Sequence, residues 1–154
     1  VIAKALSQNG GGCLHSYDQH EPFLAEMRGW LAEHDLAAEF RHAPLNLRDT
    51  AWPGLWYDLH DIPPTIDLLI IDGPPWAVHP FARGIAERLF ERMSPQGVIL
   101  LDDAARPGER IVARRWSRKW QDFDFSFEGV GTKGLLVGRR RAKPNRFDLG
   151  GPYD

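Results

Sequence analysis

The chain has 154 residues, 43% of them hydrophobic and 26% charged, and a formal net charge of −2. Those values suit one globular domain with a real core and exclude a polybasic nucleic-acid binder or an acidic tail protein. A single cysteine, Cys13, excludes an intrachain disulfide or a cysteine-built zinc site. No apolar run approaches the ~18 residues of a membrane span, so a soluble, cytoplasmic protein with neither nucleic acid nor membrane as partner is expected.

Apolar residues at Val1, Ile2, Ala5 and Leu6 stop at Asn9-Gly10-Gly11-Gly12, which reads as the end of a helix. Together with the absence of an initiator methionine, this suggests that the chain starts inside an element, with residues missing upstream. Cys13 to Tyr17 then predicts a short strand ending in Asp18. Glu21-Pro22 opens a helix whose Phe23, Leu24, Met27, Trp30 and Leu31 share one face, and His34-Asp35 closes it. Residues 38–43 (AEFRHA) form a second strand before Pro44. Residues 44–65 hold four prolines and the aromatic group Trp52, Trp56 and Tyr57 without a sustained period, as expected of a long surface connection that folds over a ligand.

Asp67 to Ile71 is a continuous apolar strand, the pattern of a position buried on both faces of a parallel sheet, and it ends at Asp72-Gly73-Pro74-Pro75. From Ala77 to Met93 the apolar residues keep a helical period, with Arg83, Glu87, Arg88 and Glu91 on the solvent side. Ser94-Pro95-Gln96-Gly97 is the turn back to a strand over 98–101, which ends in Asp102-Asp103. A helix opening at Pro107-Gly108 turns Ile111, Val112, Trp116 and Trp120 inward, and FDFSFEG and KGLLVGRR form a closing hairpin. One α/β domain over 1–139 with a polar tail over 140–154 is expected. The basic residues Arg114, Arg115, Arg118 and Lys119 have the spacing of a solvated helix face.

Ligands in open α/β sheets sit outside the carboxyl ends of parallel strands, so Asp72, Asp102 and Asp103 face one crevice. Three carboxylates there repel one another unless a cation, protons or basic side chains compensate, and oxygen ligands of this kind suit Mg²⁺. The competing reading makes Asp102 or Asp103 a cap for the helix at Pro107 and Asp72 an anchor for the GPP turn. Asp18 has a similar alternative as a helix N-cap. Arg83 and Arg106 flank the crevice as contacts for an acidic group or as surface ion-pair partners.

The order of strand, acid, helix, strand, DLLIIDG, helix, SPQGVILLDD, helix and hairpin resembles class I S-adenosylmethionine-dependent methyltransferases from about Val1 to Arg139. The acids are similar to those of small-molecule O-methyltransferases that use a divalent metal. The resemblance implies a Rossmann-like, mostly parallel sheet with a terminal antiparallel hairpin. It also implies methyl transfer to a hydroxyl of a small acceptor of the aromatic or sugar kind. By the same resemblance Asp72, Asp102 and Asp103 hold Mg²⁺, and Asp18, His42, Ala43 and Asp72 lie on the S-adenosylmethionine side. His79 and Asp72 are then the catalytic candidates. Where the catechol-type enzymes carry a lysine base three residues after the strand-end acid, this chain has Pro75. The family's first strand and its glycine-rich loop are missing before Val1, which leaves a gap in the sheet between the strands ending at Asp18 and Asp72. Other classes weighed are a noncatalytic binding module with a decayed methyltransferase fold, and a nucleotide-sugar or NAD-linked enzyme, which the missing dinucleotide fingerprint disfavours.

Overall fold

A computed structural model describes residues 1–47, 51–129 and 131–141 and divides into two units, Val1–Ile62 and Pro63–Asp154. In the first unit the opening apolar residues form helix α1 (Ile2–Gln8), which ends at Asn9. Gly10, Gly11 and Gly12 all take positive φ, a backbone that side chains disfavour, so the three glycines stop the helix as predicted. Strand β1 (His15–Asp18) pairs in parallel with β2 (Glu39–His42), placing Asp18 beside His42. Between them runs helix α2 (Glu21–Glu33), where the His20 side chain accepts the Phe23 N–H as the cap and Pro22 sits in the first turn.

The buried stripe of α2 is narrower than its apolar spacing predicts. Leu24 and Leu31, two turns apart, are buried, whereas Phe23 and Trp30 are exposed, and the Trp30 ring stacks on His34 at 4.1 Å. The connection after Pro44 also differs from expectation. It contains an antiparallel pair, β3 (Leu45–Leu47) and β4 (Leu55–Tyr57), and both Trp52 and Trp56 are buried. These aromatics close the core of their own unit, because a strand pair presents an apolar face that must be covered.

The second unit is a four-stranded sheet in the order β5-β6-β8-β7, built from β5 (Ile66–Ile71), β6 (Met93–Asp102), β7 (Phe123–Glu128) and β8 (Leu135–Arg140). β5 and β6 are parallel, and β8 joins β6 and β7 antiparallel, so the α/β class and the closing hairpin are as predicted. β6 runs straight through the expected turn at 94–97. A register shift between Ile66 and Leu68 absorbs those residues as a bulge, with Gln96 at φ 69°.

One sheet face is dry. Ile71, Ile99, Leu101 and Leu136 alternate onto it and are buried on the side of a helical layer made by a 3₁₀ helix (Ala82–Arg92) and α3 (Pro107–Lys119). On the other face Leu68 is 46% and Ile70 45% exposed, contrary to the two-sided burial that the apolar run predicts. Among the described residues β5 pairs with β6 alone.

The segment from Ala82 repeats every three residues instead of every 3.6. Every residue from Ala82 to Glu87 is buried, as is Phe90, so Arg83 and Glu87, predicted to face water, lie inside. Glu87 is paired there with Lys119 at 2.8 Å and accepts from the Trp120 indole at 3.3 Å. In α3, Val112 and Trp116 point inward as expected, but Ile111 is exposed. Trp116 donates to the Gly84 carbonyl at 3.2 Å, which ties the two helices together. No helix among the described residues is long and apolar enough to cross a membrane. The tail predicted over 140–154 falls outside the described residues from 142 onward, and Arg140 belongs to β8.

Candidate functional site

Parallel pairing in the register Ile71 to Leu101 brings the residues that follow, Asp72 and Asp102, side by side at the same end of the sheet. Asp103 comes next in the chain at φ 56°, a left-handed backbone that turns its carboxylate inward, and the residue is buried. One carboxylate oxygen from each of Asp72, Asp102 and Asp103 lies within 4.8 Å of the others. The two strand ends thus place three hard oxygen donors around one point.

The electrostatics are those of an underneutralised site. Asp72 is pushed above the ordinary carboxylate range by loss of water at the strand end, by the charge of Asp102 and by a hydrogen bond between the two carboxyl groups. Asp103 adds to the shift and Arg83 opposes it. With 72% of the Asp72 side chain facing solvent, the closeness of Asp102 outweighs burial as the cause. Asp103 is better compensated, with Arg106 at 2.8 Å, Arg83 at 3.6 Å and Lys133 at 3.5 Å. Its Oδ1 makes no hydrogen bond, the Lys133 ammonium facing it at 3.5 Å, so that oxygen keeps a lone pair that a cation could use.

Sequence reasoning did not find Lys133 or Glu109. The Lys133 carbonyl accepts the Ala105 N–H and the Gly134 carbonyl accepts the Ala104 N–H, so the turn before β8 is tied to the residues after the acid pair. That tie follows from tertiary pairing and has no local signal. Glu109 stands in the first turn of α3, fully buried, and burial raises its carboxyl against its own backbone amide and the charges of Arg83 and Arg106. A glutamate after Pro-Gly reads as an ordinary helix-start acid, so its burial was not legible.

The other predicted residues fall in two places. In the first unit Asp18, His42 and Ala43 are brought together: Ala43 N–H donates to the Asp18 carbonyl at 2.9 Å, Asp18 Oδ1 accepts the His20 N–H at 2.7 Å, and a His42 ring nitrogen meets the Gln19 carbonyl at 3.1 Å. In the second unit His79 is half-buried, with Nδ1 accepting the Phe81 N–H at 3.1 Å, and it is not one of the three clustered ligands.

A family model described as a methyltransferase domain matches residues 1–104, a span that includes Asp18, the strand-end acids and strands β1 to β6. The chain belongs to this methyltransferase family. Solved structures with a similar fold include a methyltransferase from Geobacter sulfurreducens, 18% identical with a TM-score of 0.54 over 84% of this chain and 58% of that one. A methyltransferase from Pyrococcus furiosus is 12% identical with a TM-score of 0.55 over 85% of this chain and 64% of that one. A protein from Staphylococcus aureus proposed to be a caffeoyl-CoA O-methyltransferase is 11% identical with a TM-score of 0.52, over 83% and 64%. The chain thus spans roughly three fifths of the length of these solved methyltransferases. A comparison with curated proteins returns no match.

Proposed function

We propose that the chain takes part in S-adenosylmethionine-dependent methyl transfer to a hydroxyl of a small molecule, assisted by a divalent cation at Asp72, Asp102 and Asp103. The observation that carries this reading is the convergence of the three carboxylates within 4.8 Å at two adjacent strand ends in a methyltransferase-family chain. The donor set fits a hard cation such as Mg²⁺, since all three ligands are carboxylate oxygens and one is buried without a hydrogen bond. A cation held there supplies positive charge that favours the ionised form of an acceptor hydroxyl.

The chain's own residues do the rest. Asp72 and Asp102 orient the site from the two strand ends, and Asp103 draws Arg106 and Lys133 to its rim. Asp18, fixed by the His20 amide at the end of β1, offers a carboxylate to the ribose hydroxyls of S-adenosylmethionine, with His42 and Ala43 beside it. His79 is the catalytic candidate: with Nδ1 accepting the Phe81 N–H, the neutral ring carries its proton on Nε2, which can donate a hydrogen bond to the acceptor oxygen. The similarity to the Staphylococcus protein supports a small-molecule acceptor.

Calorimetry with Mg²⁺ or Mn²⁺ tests the reading. Saturable binding by the unaltered protein, lost in a folded Asp102→Ala variant, is expected. Equal binding by both proteins removes Asp102 from the site, and no binding by either removes the cation.

A further inference from the structure

We propose that Arg83 is the positioning residue of the acid site: it ties the two strand ends through their main chain and leaves the carboxylate oxygens available to a cation. The inference rests on the cation reading above. Arg83 stands in the first turn of the 3₁₀ helix, and its side chain is only 6% exposed.

Each of its hydrogen bonds goes to a backbone carbonyl. Nη2 donates to Asp72 O at 2.6 Å, Nη1 to Asp102 O at 3.0 Å and Nε to Pro74 O at 3.3 Å. One planar group thus bridges β6 to the residues that follow β5 and reaches the turn beyond them. Its distances to carboxylates are longer: 3.6 Å to Asp103, 3.7 Å to Asp72 and 3.9 Å to Glu109. Those separations exceed hydrogen-bond length, so the guanidinium provides counter-charge without occupying the lone pairs that a metal ligand needs.

The arrangement resolves a conflict built into the site. Acids close enough to share a cation repel one another before it arrives, and a direct arginine contact calms a carboxylate by taking up one of its oxygens, as Arg106 does at Asp103 Oδ2. A guanidinium anchored on carbonyls holds the geometry and damps the repulsion together. Lysine cannot replace it, because a single ammonium nitrogen cannot reach carbonyls on two strand ends and a turn. The first half of the helix, Ala82 to Glu87, is buried throughout, and that burial keeps Arg83 inside.

The test measures Mn²⁺ binding to the full protein by calorimetry and electron paramagnetic resonance, for the unaltered sequence, Arg83→Lys and Glu87→Gln. Glu87 is a comparably buried charge, bonded to Lys119 and Trp120, and serves as a control for general destabilisation. Arg83→Lys should lower Mn²⁺ affinity ~10–100-fold, the range for a residue that orients metal ligands, and should alter the resonance line shape. Glu87→Gln should change neither. Undiminished affinity and an unchanged line shape in folded Arg83→Lys would overturn the role of Arg83 while leaving the cation reading intact. Absence of Mn²⁺ binding to the unaltered protein overturns both. If Arg83→Lys does not fold, the side-chain Nε–H resonance of Arg83 in the unaltered protein decides the matter. It should be protected from solvent exchange and should shift on Mg²⁺ addition, and a resonance indifferent to saturating Mg²⁺ refutes the proposal.

Discussion

Asp72 is the residue whose protonation should control the site. Its carboxyl is raised above the ordinary 3.8 by burial and by Asp102, so the folded chain holds that proton more firmly than the unfolded chain does. The resulting stabilisation is fully present below pH 3.8 and is lost as pH rises through the folded-state value. A cation needs the ionised form, so its affinity should rise over that same interval. Calorimetric titrations between pH 4 and 7 should therefore show affinity increasing with pH, and Asp72→Asn should flatten the profile. A profile equally steep in Asp72→Asn would assign the proton elsewhere. The acids themselves were legible in the sequence, because an apolar run broken by an aspartate marks a strand end. Arg83 was legible only as a residue flanking the crevice: an arginine at an outward position of a 3.6-residue wheel looks solvated, and its burial and its bonds to the strand-end carbonyls come from tertiary packing.

At the scale of elements, the contact between α3 and the turn before the 3₁₀ helix is set by a glycine. A Cβ on Gly108 would fall 2.1 Å from the Pro80 carbonyl oxygen and 2.9 Å from its carbon, and backbone cannot step aside as a flexible side chain could. Gly108→Ala should cost about 1–3 kcal/mol or more, read as a lower urea midpoint at unchanged slope. A midpoint equal to that of the unaltered chain would show that the helix can slide. The strands at the heart of the site, β5, β6 and the hairpin, could be read from their apolar runs and turn residues. The β3–β4 pair could not, since three-residue strands carry too little periodicity to stand out among prolines. The bulge in β6 was equally hidden, because Ser-Pro-Gln-Gly has the composition of a turn and is drawn into the strand only by pairing with β5.

For the whole molecule, cation binding and folding are linked. A ligand that binds only the folded chain stabilises it by about 2.7 kcal/mol at a concentration one hundred times its dissociation constant. Added Mg²⁺ should therefore raise the melting temperature, a chelator should reverse the rise, and Asp102→Ala should show neither effect. An identical rise in Asp102→Ala would point to nonspecific binding. The two-unit organisation was not legible, because composition changes little along the chain and the division depends on which strands pair.

The ring cluster of the second unit supplies a means of following these experiments. Phe90 lies 4.9 Å from Trp116, 5.3 Å from Trp120 and 5.6 Å from Phe123, and Trp116 has no exposed surface. Aromatic groups held so close in fixed, tilted orientations couple their electronic transitions and become optically active in the near ultraviolet. A difference spectrum against Trp116→Phe would isolate that circular-dichroism band. The half of the chain that carries the acids therefore reports its own tertiary order without an attached dye.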